Sequence, residues 1–259
     1  MKTKSPQFEL SLATTEQDLI AAQRLRYRVF VNELGGGGQG VDHSSGIETD
    51  KFDPHFDHLI LFDRARAAEA IDQAVGVYRI MRKEQALDGE GFYSASEYDL
   101  SPLTQNGRRL LELGRSCVDP DYRGGSAMFL LWNGLGRYCI EHEIEILFGV
   151  ASFHGTDPEK LAQPLSYLHH HHLAPKELRV RANSSSFQNM DLVSPDGLNR
   201  ADAMVEMPAL IKAYLRLGGV VGEGAYIDHE FNTIDICLIM DTEKMNQKYR
   251  AYYSKDSVF

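Results

Sequence analysis

Residues 108–172 alternate between strand-like and helix-like stretches, and this order constrains the fold more than any other feature of the chain. Residues 108–118 (RRLLELGRSCV) favour a strand with charges on one face, because Gly114 would weaken a helix by about 1 kcal/mol. After a glycine turn, residues 126–142 have the length and broad apolar face of a helix, and residues 145–151 resemble a buried strand. Residues 156–171 predict a second helix. The order strand, loop, helix, strand, helix is typical of an α/β protein.

The flanking segments extend this architecture. Residues 14–34 predict a helix of about five turns, with a capping threonine and apolar residues at helical spacing. Residues 207–219 predict another helix, which ends at Gly218 and Gly219. The remaining stretches that predict strands are residues 58–63, 73–81, 218–228 and 232–240. Because no linker divides the chain, we predict one α/β domain over residues 1–259, with a mixed sheet covered by helices on both faces.

Charge and cysteine usage exclude several classes of protein. The 259 residues include 27 Lys plus Arg and 37 Asp plus Glu, a formal net charge of -10. This charge opposes binding to nucleic acid, so an anionic partner needs a local basic patch. Three widely spaced cysteines without a CxxC pair argue against a disulfide framework or a zinc module. No stretch approaches 18 apolar residues, and we therefore expect a cytoplasmic protein.

A glycine turn with the sequence DPDYRGGSA, residues 119–127, lies between a predicted strand and a predicted helix. The free backbone N–H groups of Gly124, Gly125 and Ser126, together with the helix dipole, can hold a phosphate, and Arg123 adds a forked positive charge. The alternative is a turn whose arginine is simply solvated. The sequence matches neither GxxxxGK[ST] nor GxGxxG, which disfavours nucleoside triphosphates and dinucleotides.

Six arginines have two interpretations. If they approach the glycine turn, they form a basic patch that attracts an acidic carrier protein or a phosphorylated arm. Alternatively, each of them pairs with one of the many acids. These arginines are Arg24, Arg26, Arg28, Arg108, Arg109 and Arg115.

The acidic residues between 35 and 57 follow a run of four glycines. Because glycine has no Cβ, this segment can form a mobile loop over a site. Its acids Glu48, Asp50, Asp53 and Asp57 can bind a cationic substrate, assist proton removal from an amine or bind a divalent ion; a solvated acidic face is the alternative. Residues 169–172 are all histidine, but successive helical residues point in different directions and cannot all ligate one ion. We predict no metal site.

Several longer motifs together resemble a known family. They are RLRYRVFVNELG, IETDKFDPHFDHL, LELGRSCVDPDYRGG, GVASFHGTDP and IKAYLRLGGVVGEGAYIDHEFNTIDICLIM. They resemble the ornithine N-alpha-acyltransferases of ornithine-lipid synthesis, a GNAT-like branch related to the acyl-homoserine lactone synthases. The resemblance implies a GNAT-like α/β (α+β) fold with a mostly antiparallel sheet, and a family-specific C-terminal extension at about residues 200–259.

The resemblance also implies site residues. The shared polar set falls on Arg26, Phe30, Asp50, Asp53, Arg79, Glu112 and Arg115. We expect Glu112, and next Asp50, to accept the proton of the amine, with Arg115 and nearby backbone N–H groups stabilising the oxyanion. Glu48, Asp50 and Asp53 are expected to hold a distal ammonium, and Arg26 belongs to the same catalytic set. The donor-binding set comprises Arg123, Gly124, Gly125, Ser126, Phe30 and Arg79.

The implied reaction moves a 3-hydroxyacyl chain from acyl carrier protein to the α-amino group of L-ornithine, giving lyso-ornithine lipid. The donor is then the acyl-4'-phosphopantetheine of the carrier, with no permanently bound cofactor. The GNAT loop pattern is imperfect, since Ser126 and Met128 stand where glycines are usual, and this favours the carrier over coenzyme A.

Other functions remain open at this point. A lactone synthase is disfavoured because the tryptophan expected after the first helix is missing and the chain has only Trp132. A coenzyme-A-dependent acyltransferase acting on another amine and a non-catalytic carrier-binding or lipid-binding protein are the remaining alternatives. Since the implied product is amphiphilic, helix 207–217 either lies in a membrane interface as a peripheral contact or packs in the core.

Overall fold

A computed structural model describes residues 5–66 and 69–245. The helices are α1 (Glu16–Arg26), α2 (Lys83–Asp88), α3 (Ser101–Thr104), α4 (Ala127–Glu141), α5 (Ala162–His172), α6 (Arg200–Glu206) and α7 (Ala209–Leu217). The strands are β1 (Phe8–Leu12), β2 (Val41–Asp42), β3 (Ile47–Glu48), β4 (Asp57–Asp63), β5 (Ala74–Arg82), β6 (Tyr98–Asp99), β7 (Leu110–Val118), β8 (Ile146–His154), β9 (Arg181–Ala182), β10 (Phe187–Gln188), β11 (Val220–Val221), β12 (Ala225–Asp228) and β13 (Thr233–Asp241). The long predicted helices and strands are therefore confirmed.

The main sheet has the strand order β1-β4-β5-β7-β8-β13-β12-β10, with β11 paired to β13. Its pairs are antiparallel except for β7 and β8, which run parallel. Helices cover both faces, as the sequence predicts. Along β4, Ile60 and Phe62 pack with α1, whereas Leu59 and Leu61 alternate with them and pack with α4.

Two local features explain how the covering helices are placed. Thr15 caps α1 and forms a capping box with Asp18, and the helix continues as a π-helix over Tyr27–Glu33. On the other face, Gly134 lets α4 approach the sheet, because a Cβ there would lie 2.5 Å from Leu10 Cδ2. This confirms that small residues in the predicted helix permit close packing.

The sheet splits in its middle. β7 pairs with β8 only over Leu110–Glu112 and Ile146–Phe148, although both strands continue. At the end of this pairing the backbones are in contact, since a Cβ on Gly149 would lie 2.1 Å from the carbonyl oxygen of Leu113. Beyond this point the two strands enclose a cavity between them.

The C-terminal part of the chain is built into the sheet. β13 lies in the interior between β8 and β12, so the expected extension supplies a central strand. Residues 246–259 of that extension lie outside the described residues. Within the described ranges, no helix is both long enough and apolar enough to cross a membrane.

Candidate active site

A cavity of about 290 Å³ occupies the gap between β7 and β8. Apolar side chains form one part of its wall; they are Leu113, Leu147, Leu210, Tyr214, Leu238 and Met240. Polar side chains form another part; they are Ser152, His154, Asp228, Thr233 and Asp235. Along β13, Asp235 alternates with Ile234 and Ile236, which belong to the core cluster that contains α7. The cavity therefore connects an apolar pocket on the α7 face with a polar pocket on the opposite face.

A β-bulge in β7 borders this cavity. Tyr78 of β5 lies opposite two residues of β7, since Val77 pairs with Cys117 and Arg79 pairs with Gly114. The two bulged residues are Arg115 and Ser116, both of which line the cavity, and Arg115 has a φ of 47°. A bulge leaves its extra residue outside the regular hydrogen-bonded ladder, so a backbone N–H group of this strand can face the cavity.

Three arginines and three carboxylates form a buried ionic network beside the bulge. Arg26 donates to Glu48 Oε2 at 2.5 Å and to Asp53 Oδ1 at 2.7 Å. Arg79 donates to Asp50 Oδ1 at 2.6 Å and to Asp53 Oδ1 at 2.7 Å. Arg115 completes the network with Glu48 Oε1 at 3.3 Å and Asp50 Oδ2 at 3.2 Å. The sequence-based set of Arg26, Asp50, Asp53, Arg79 and Arg115 is thus brought together.

The network differs from the expected acidic loop in two respects. Residues 35–57 include the hairpin of β2 and β3, and the Glu48 and Asp53 side chains are only 1% and 4% exposed, so these acids are part of the interior. Burial opposes their ionisation, yet the adjacent arginines hold the pKa values of Glu48, Asp50 and Asp53 below their usual range. Because the arginines already neutralise them, the structure does not favour these carboxylates as the holders of a substrate ammonium. Asp57 lies elsewhere and accepts a hydrogen bond from the Tyr138 hydroxyl at 2.5 Å.

Glu112 is not among the residues that line the cavity. Its oxygens accept the backbone N–H groups of Tyr93 at 2.9 Å and Ser94 at 2.6 Å, and burial raises its pKa. The Tyr93 ring in turn lies 4.9 Å from the Arg115 guanidinium. This geometry makes Glu112 an anchor for the turn that carries Tyr93, and it does not favour the role of proton acceptor, which stays a prediction.

A second group of carboxylates lies at the polar end of the cavity and was missed by the sequence analysis. Oxygens of Glu97, Asp228 and Asp235 all lie within 4.8 Å of one another. Burial raises the pKa of Glu97 well above its usual range and raises that of Asp235 to about 6. A signal for Asp235 exists in the sequence, since it is an acid inside the otherwise apolar strand NTIDICLIM. We call these three residues the acidic triad.

The glycine turn adjoins the mouth of the cavity, although residues 123–126 do not line it. Arg123 directs its guanidinium at Glu33, with distances of 2.6 and 2.7 Å, so its charge is already paired. Glu33 belongs to the π-helix whose Phe30 lines the cavity. Ser126 is the N-cap residue of α4, and no side chain of the described residues caps this helix. The N–H groups of its first turn are therefore available to bind an anion.

The arginines outside the network pair with acids instead of forming a basic patch. Arg24 and Arg28 both contact Asp72. Arg108 pairs with Asp241 at 2.8 Å, and Arg109 pairs with Glu143 at 2.9 Å. The alternative interpretation of these arginines, pairing with nearby acids, is therefore the one found.

Two other sequence features have structural roles. Helix α7 buries Ile211, Tyr214 and Leu217 in the core, so its apolar face is not free for a membrane interface. His170 contacts Asp191 at 2.9 Å, and ligand atoms of His169, His170 and Asp191 all lie within 4.8 Å of one another, whereas His171 and His172 pack on Tyr167. Only part of the histidine run therefore converges on one point.

Comparison with known proteins identifies the family. Residues 25–133 match the model described as Acetyltransferase (GNAT) domain. The L-ornithine N(alpha)-acyltransferase of Rhodobacter capsulatus is 56% identical over 96% of this chain and 95% of its own length. The chain belongs to the L-ornithine N(alpha)-acyltransferase family. The enzyme of that name from Brucella abortus is 43% identical over 96% of this chain and 89% of its own length. The resemblance found in the sequence is confirmed, and this member of the L-ornithine N(alpha)-acyltransferase family is an acyltransferase.

Solved structures confirm the fold of this family member. The coenzyme-A-dependent acyl-homoserine lactone synthase BjaI, solved with SAM and isopentyl-CoA, superimposes with a TM-score of 0.53 at 13% identity, over 97% of this chain and 92% of its own. FeeM, an N-acyl amino acid synthase from uncultured soil microbes, gives a TM-score of 0.52 at 13% identity, over 92% and 93% of the two chains. At this identity the likeness establishes a GNAT-like architecture.

Proposed function

We propose that this enzyme transfers a 3-hydroxyacyl chain from acyl carrier protein to the α-amino group of L-ornithine, which is the first step of ornithine-lipid synthesis. The observation that carries the proposal is the cavity between β7 and β8, which is apolar on the α7 face and acidic on the other. An acyl chain fits the first environment and a cationic amino acid fits the second. The names of the curated relatives supply ornithine as the acceptor.

The reaction requires that the two substrates meet at the bulge. The α-amine attacks the thioester carbon, the C–S bond breaks, and the sulfur leaves on the pantetheine arm as a thiolate, which takes up the proton that the amine releases. Negative charge develops on the carbonyl oxygen, and the backbone N–H group freed by the bulge at Arg115 and Ser116 is suited to stabilise it. The hydroxyls of Tyr78 and Ser116 line the same cavity and offer partners to a 3-hydroxyl group.

The attacking amine must also lose a proton. His154 is the histidine among the described residues that line the cavity. It is the last residue of β8, and its side chain is exposed. Imidazole is the side chain most often used as a general base. We assign proton acceptance to His154 in place of Glu112, because Glu112 does not line the cavity.

The turn before α4 supports a carrier-bound donor. The free N–H groups of its first turn suit one phosphodiester, as in a phosphopantetheine arm. Coenzyme A brings further phosphates, which need additional cationic side chains, and Glu33 already occupies Arg123. We therefore propose acyl carrier protein as the protein partner and place no permanent cofactor in the mechanism.

Mass spectrometry of the reaction products tests the proposal. Purified enzyme is incubated with 3-hydroxyacyl carrier protein or 3-hydroxyacyl-CoA, and with L-ornithine or S-adenosylmethionine. We expect Nα-acylornithine from the carrier and ornithine, and at least tenfold less from the coenzyme A donor. Formation of a lactone from S-adenosylmethionine, or the absence of product with ornithine, would overturn the proposal.

A further inference from the structure

The carboxyl groups of the acidic triad have no ion-pair partner among the described residues around them. Within residues 5–66 and 69–245, no lysine, arginine or histidine forms an ion pair with Glu97, Asp228 or Asp235. The nearby Arg115 offsets part of the rise in the pKa values of Glu97 and Asp235, but its own hydrogen-bonded ion pairs are with Glu48 and Asp50. The ionic network beside the triad, in contrast, matches three cations with three carboxylates. The triad therefore lacks a positively charged partner in the described structure.

Two oxygens of the triad are buried without a hydrogen-bond partner. Glu97 is 3% exposed and Asp235 is 4% exposed. Glu97 Oε2 and Asp235 Oδ1 accept no hydrogen bond from the described residues. An unpaired buried oxygen destabilises the fold, and a ligand that donates a hydrogen bond to it removes that destabilisation. Asp235 and Asp228 line the cavity, which gives such a ligand access.

The triad can surround an ammonium group. An ammonium donates three hydrogen bonds besides its bond to carbon, one for each carboxylate. Three acceptors arranged tetrahedrally around one nitrogen at about 2.9 Å are about 4.7 Å apart. The three carboxylate oxygens all lie within 4.8 Å of one another, so they are close enough together to accept hydrogen bonds from one nitrogen.

We propose that Glu97, Asp228 and Asp235 form the subsite for the side-chain ammonium of the amino-acid acceptor and thereby select a diamino acid. This inference rests on the proposed function, because the ammonium that it assigns to the triad belongs to the proposed acceptor. The triad lies on the face opposite α7, so a bound side chain there directs the α-amine back toward the bulge. The subsite keeps the distal amine away from the thioester and makes acylation selective for the α position.

Paired substrates separate this role from a catalytic one. L-Norvaline has the carbon skeleton of ornithine without the distal amine. Initial rates with saturating 3-hydroxyacyl carrier protein give kcat and KM for both acceptors, in the wild type and in Asp235→Asn and Glu97→Gln. We expect each substitution to raise the KM for ornithine at least tenfold and to change kcat/KM for norvaline less than twofold. Glu206→Gln, on the exposed surface of α6, removes the same charge and should change neither value.

Several outcomes contradict the inference. An equal loss of kcat with both acceptors would mean that the triad acts on the reacting amine. An unchanged KM for ornithine in both folded variants would remove the subsite. Loss of activity in EDTA that Ca²⁺ or Mg²⁺ restores would make the triad a metal site. Failure of the wild type to acylate ornithine would instead overturn the proposed function, so the two failures are distinguishable.

A binding measurement on the wild type remains informative if the variants do not fold. An ammonium that enters the triad displaces the protons held there by the raised pKa values of Glu97 and Asp235. Calorimetry of ornithine binding near pH 6, in two buffers of different ionisation enthalpy, should therefore show net proton release, and norvaline should release fewer protons. Equal proton release with both ligands would contradict the inference.

Discussion

The two groups of carboxylates in this site are both buried, but their pKa values shift in opposite directions. Asp53 contacts two arginines, and its pKa lies below the usual range. Burial raises the pKa of Asp235 to about 6, and its acidic neighbour Asp228 adds to the rise where Asp53 has arginines. The difference comes from the partners and not from the depth of burial. The two aspartates therefore have different roles: Asp53 stabilises the fold, and Asp235 is suited to the cation that we propose.

Replacing Asp235 should stabilise the enzyme at alkaline pH. The folded protein holds the Asp235 proton up to about pH 6, whereas an aspartate in the unfolded chain releases it near pH 4. Between these values the unfolded state binds fewer protons, so the stability of the wild type falls as the pH rises. Asparagine does not titrate, and we expect Asp235→Asn to melt several degrees above the wild type at pH 8 but close to it at pH 4. Thermal melting across this range is the measurement, and a lower melting temperature at pH 8 would contradict the assignment.

Replacing Glu112 should affect stability more than chemistry. Both carboxylate oxygens accept backbone N–H groups, and the side-chain amide of the variant Glu112→Gln would keep one acceptor and turn an NH₂ group toward the other donor. We expect a loss of about 2 kcal/mol in the free energy of unfolding. Activity per folded molecule should stay within about threefold of the wild type, whereas loss of a general base costs about 100-fold or more. Denaturant unfolding and initial rates, with Glu206→Gln as control, distinguish the two roles.

Sequence motifs predict part of the site at this scale. Five of the six residues of the ionic network were predicted because they lie in the local and specific motifs RLRYRVF, IETDKFDP and LELGR; Arg79 lies outside these motifs and was expected from the family resemblance. The role of Glu112 could not be predicted, since its partners are backbone N–H groups about 20 residues earlier in the chain. The acidic triad joins residues 97, 228 and 235, and only the folded sheet brings the first to the other two.

At the scale of elements, helix α7 defines the apolar end of the cavity. Leu210 and Tyr214 project into it, and the Tyr214 hydroxyl lies 3.2 Å from that of Tyr78. Apolar periodicity alone predicts an amphipathic helix but does not distinguish a core position from a membrane interface. The same limit applies to the strands: the sequence predicted the long ones but missed the edge strand β1. The separation of β7 from β8 depends on contacts distant in sequence, and no local pattern encodes it.

A larger side chain on α7 should shorten the acyl chain that the enzyme accepts. Leu210→Trp places additional bulk at the apolar end of the cavity. We expect the ratio of kcat/KM for long over short 3-hydroxyacyl carriers to fall by about tenfold or more, because a methylene that no longer fits costs at least that factor. Ala209→Trp adds the same ring at the neighbouring exposed position and is the control. Competition assays with mixed chain lengths measure the ratio, and an unchanged ratio would place the acyl chain elsewhere.

At the scale of the whole molecule, the net charge is -10, and four arginines that could have formed a basic patch are paired with acids within the described residues; they are Arg24, Arg28, Arg108 and Arg109. If the donor is an acidic carrier protein, as proposed, this charge would repel it at long range. Recognition would then depend on the phosphopantetheine arm and on short-range contacts.

The salt dependence of the reaction should reflect this charge distribution. Salt screens repulsion between two acidic proteins, so the KM for acyl carrier protein should fall or stay constant between about 50 and 300 mM NaCl. Recognition through a basic patch predicts a steep rise instead. Initial rates at varied carrier concentration decide between them, and the KM for ornithine in the same buffers serves as the internal control.

The two halves of the sheet are joined by three residue pairs of parallel strand, between Leu110–Glu112 of β7 and Ile146–Phe148 of β8. We call this short ladder the seam. Both strands continue past the seam, but within the described residues no further backbone ladder joins β7 to β8. A thioester chain bound in the gap, as proposed, would hold the two facing edges together and become a temporary part of the architecture. Loading with a non-hydrolysable acyl-pantetheine should therefore slow amide exchange along the facing edges of β7 and β8 while leaving exchange at the seam unchanged. The empty enzyme would then be the looser form, and each catalytic cycle would close and reopen this part of the sheet.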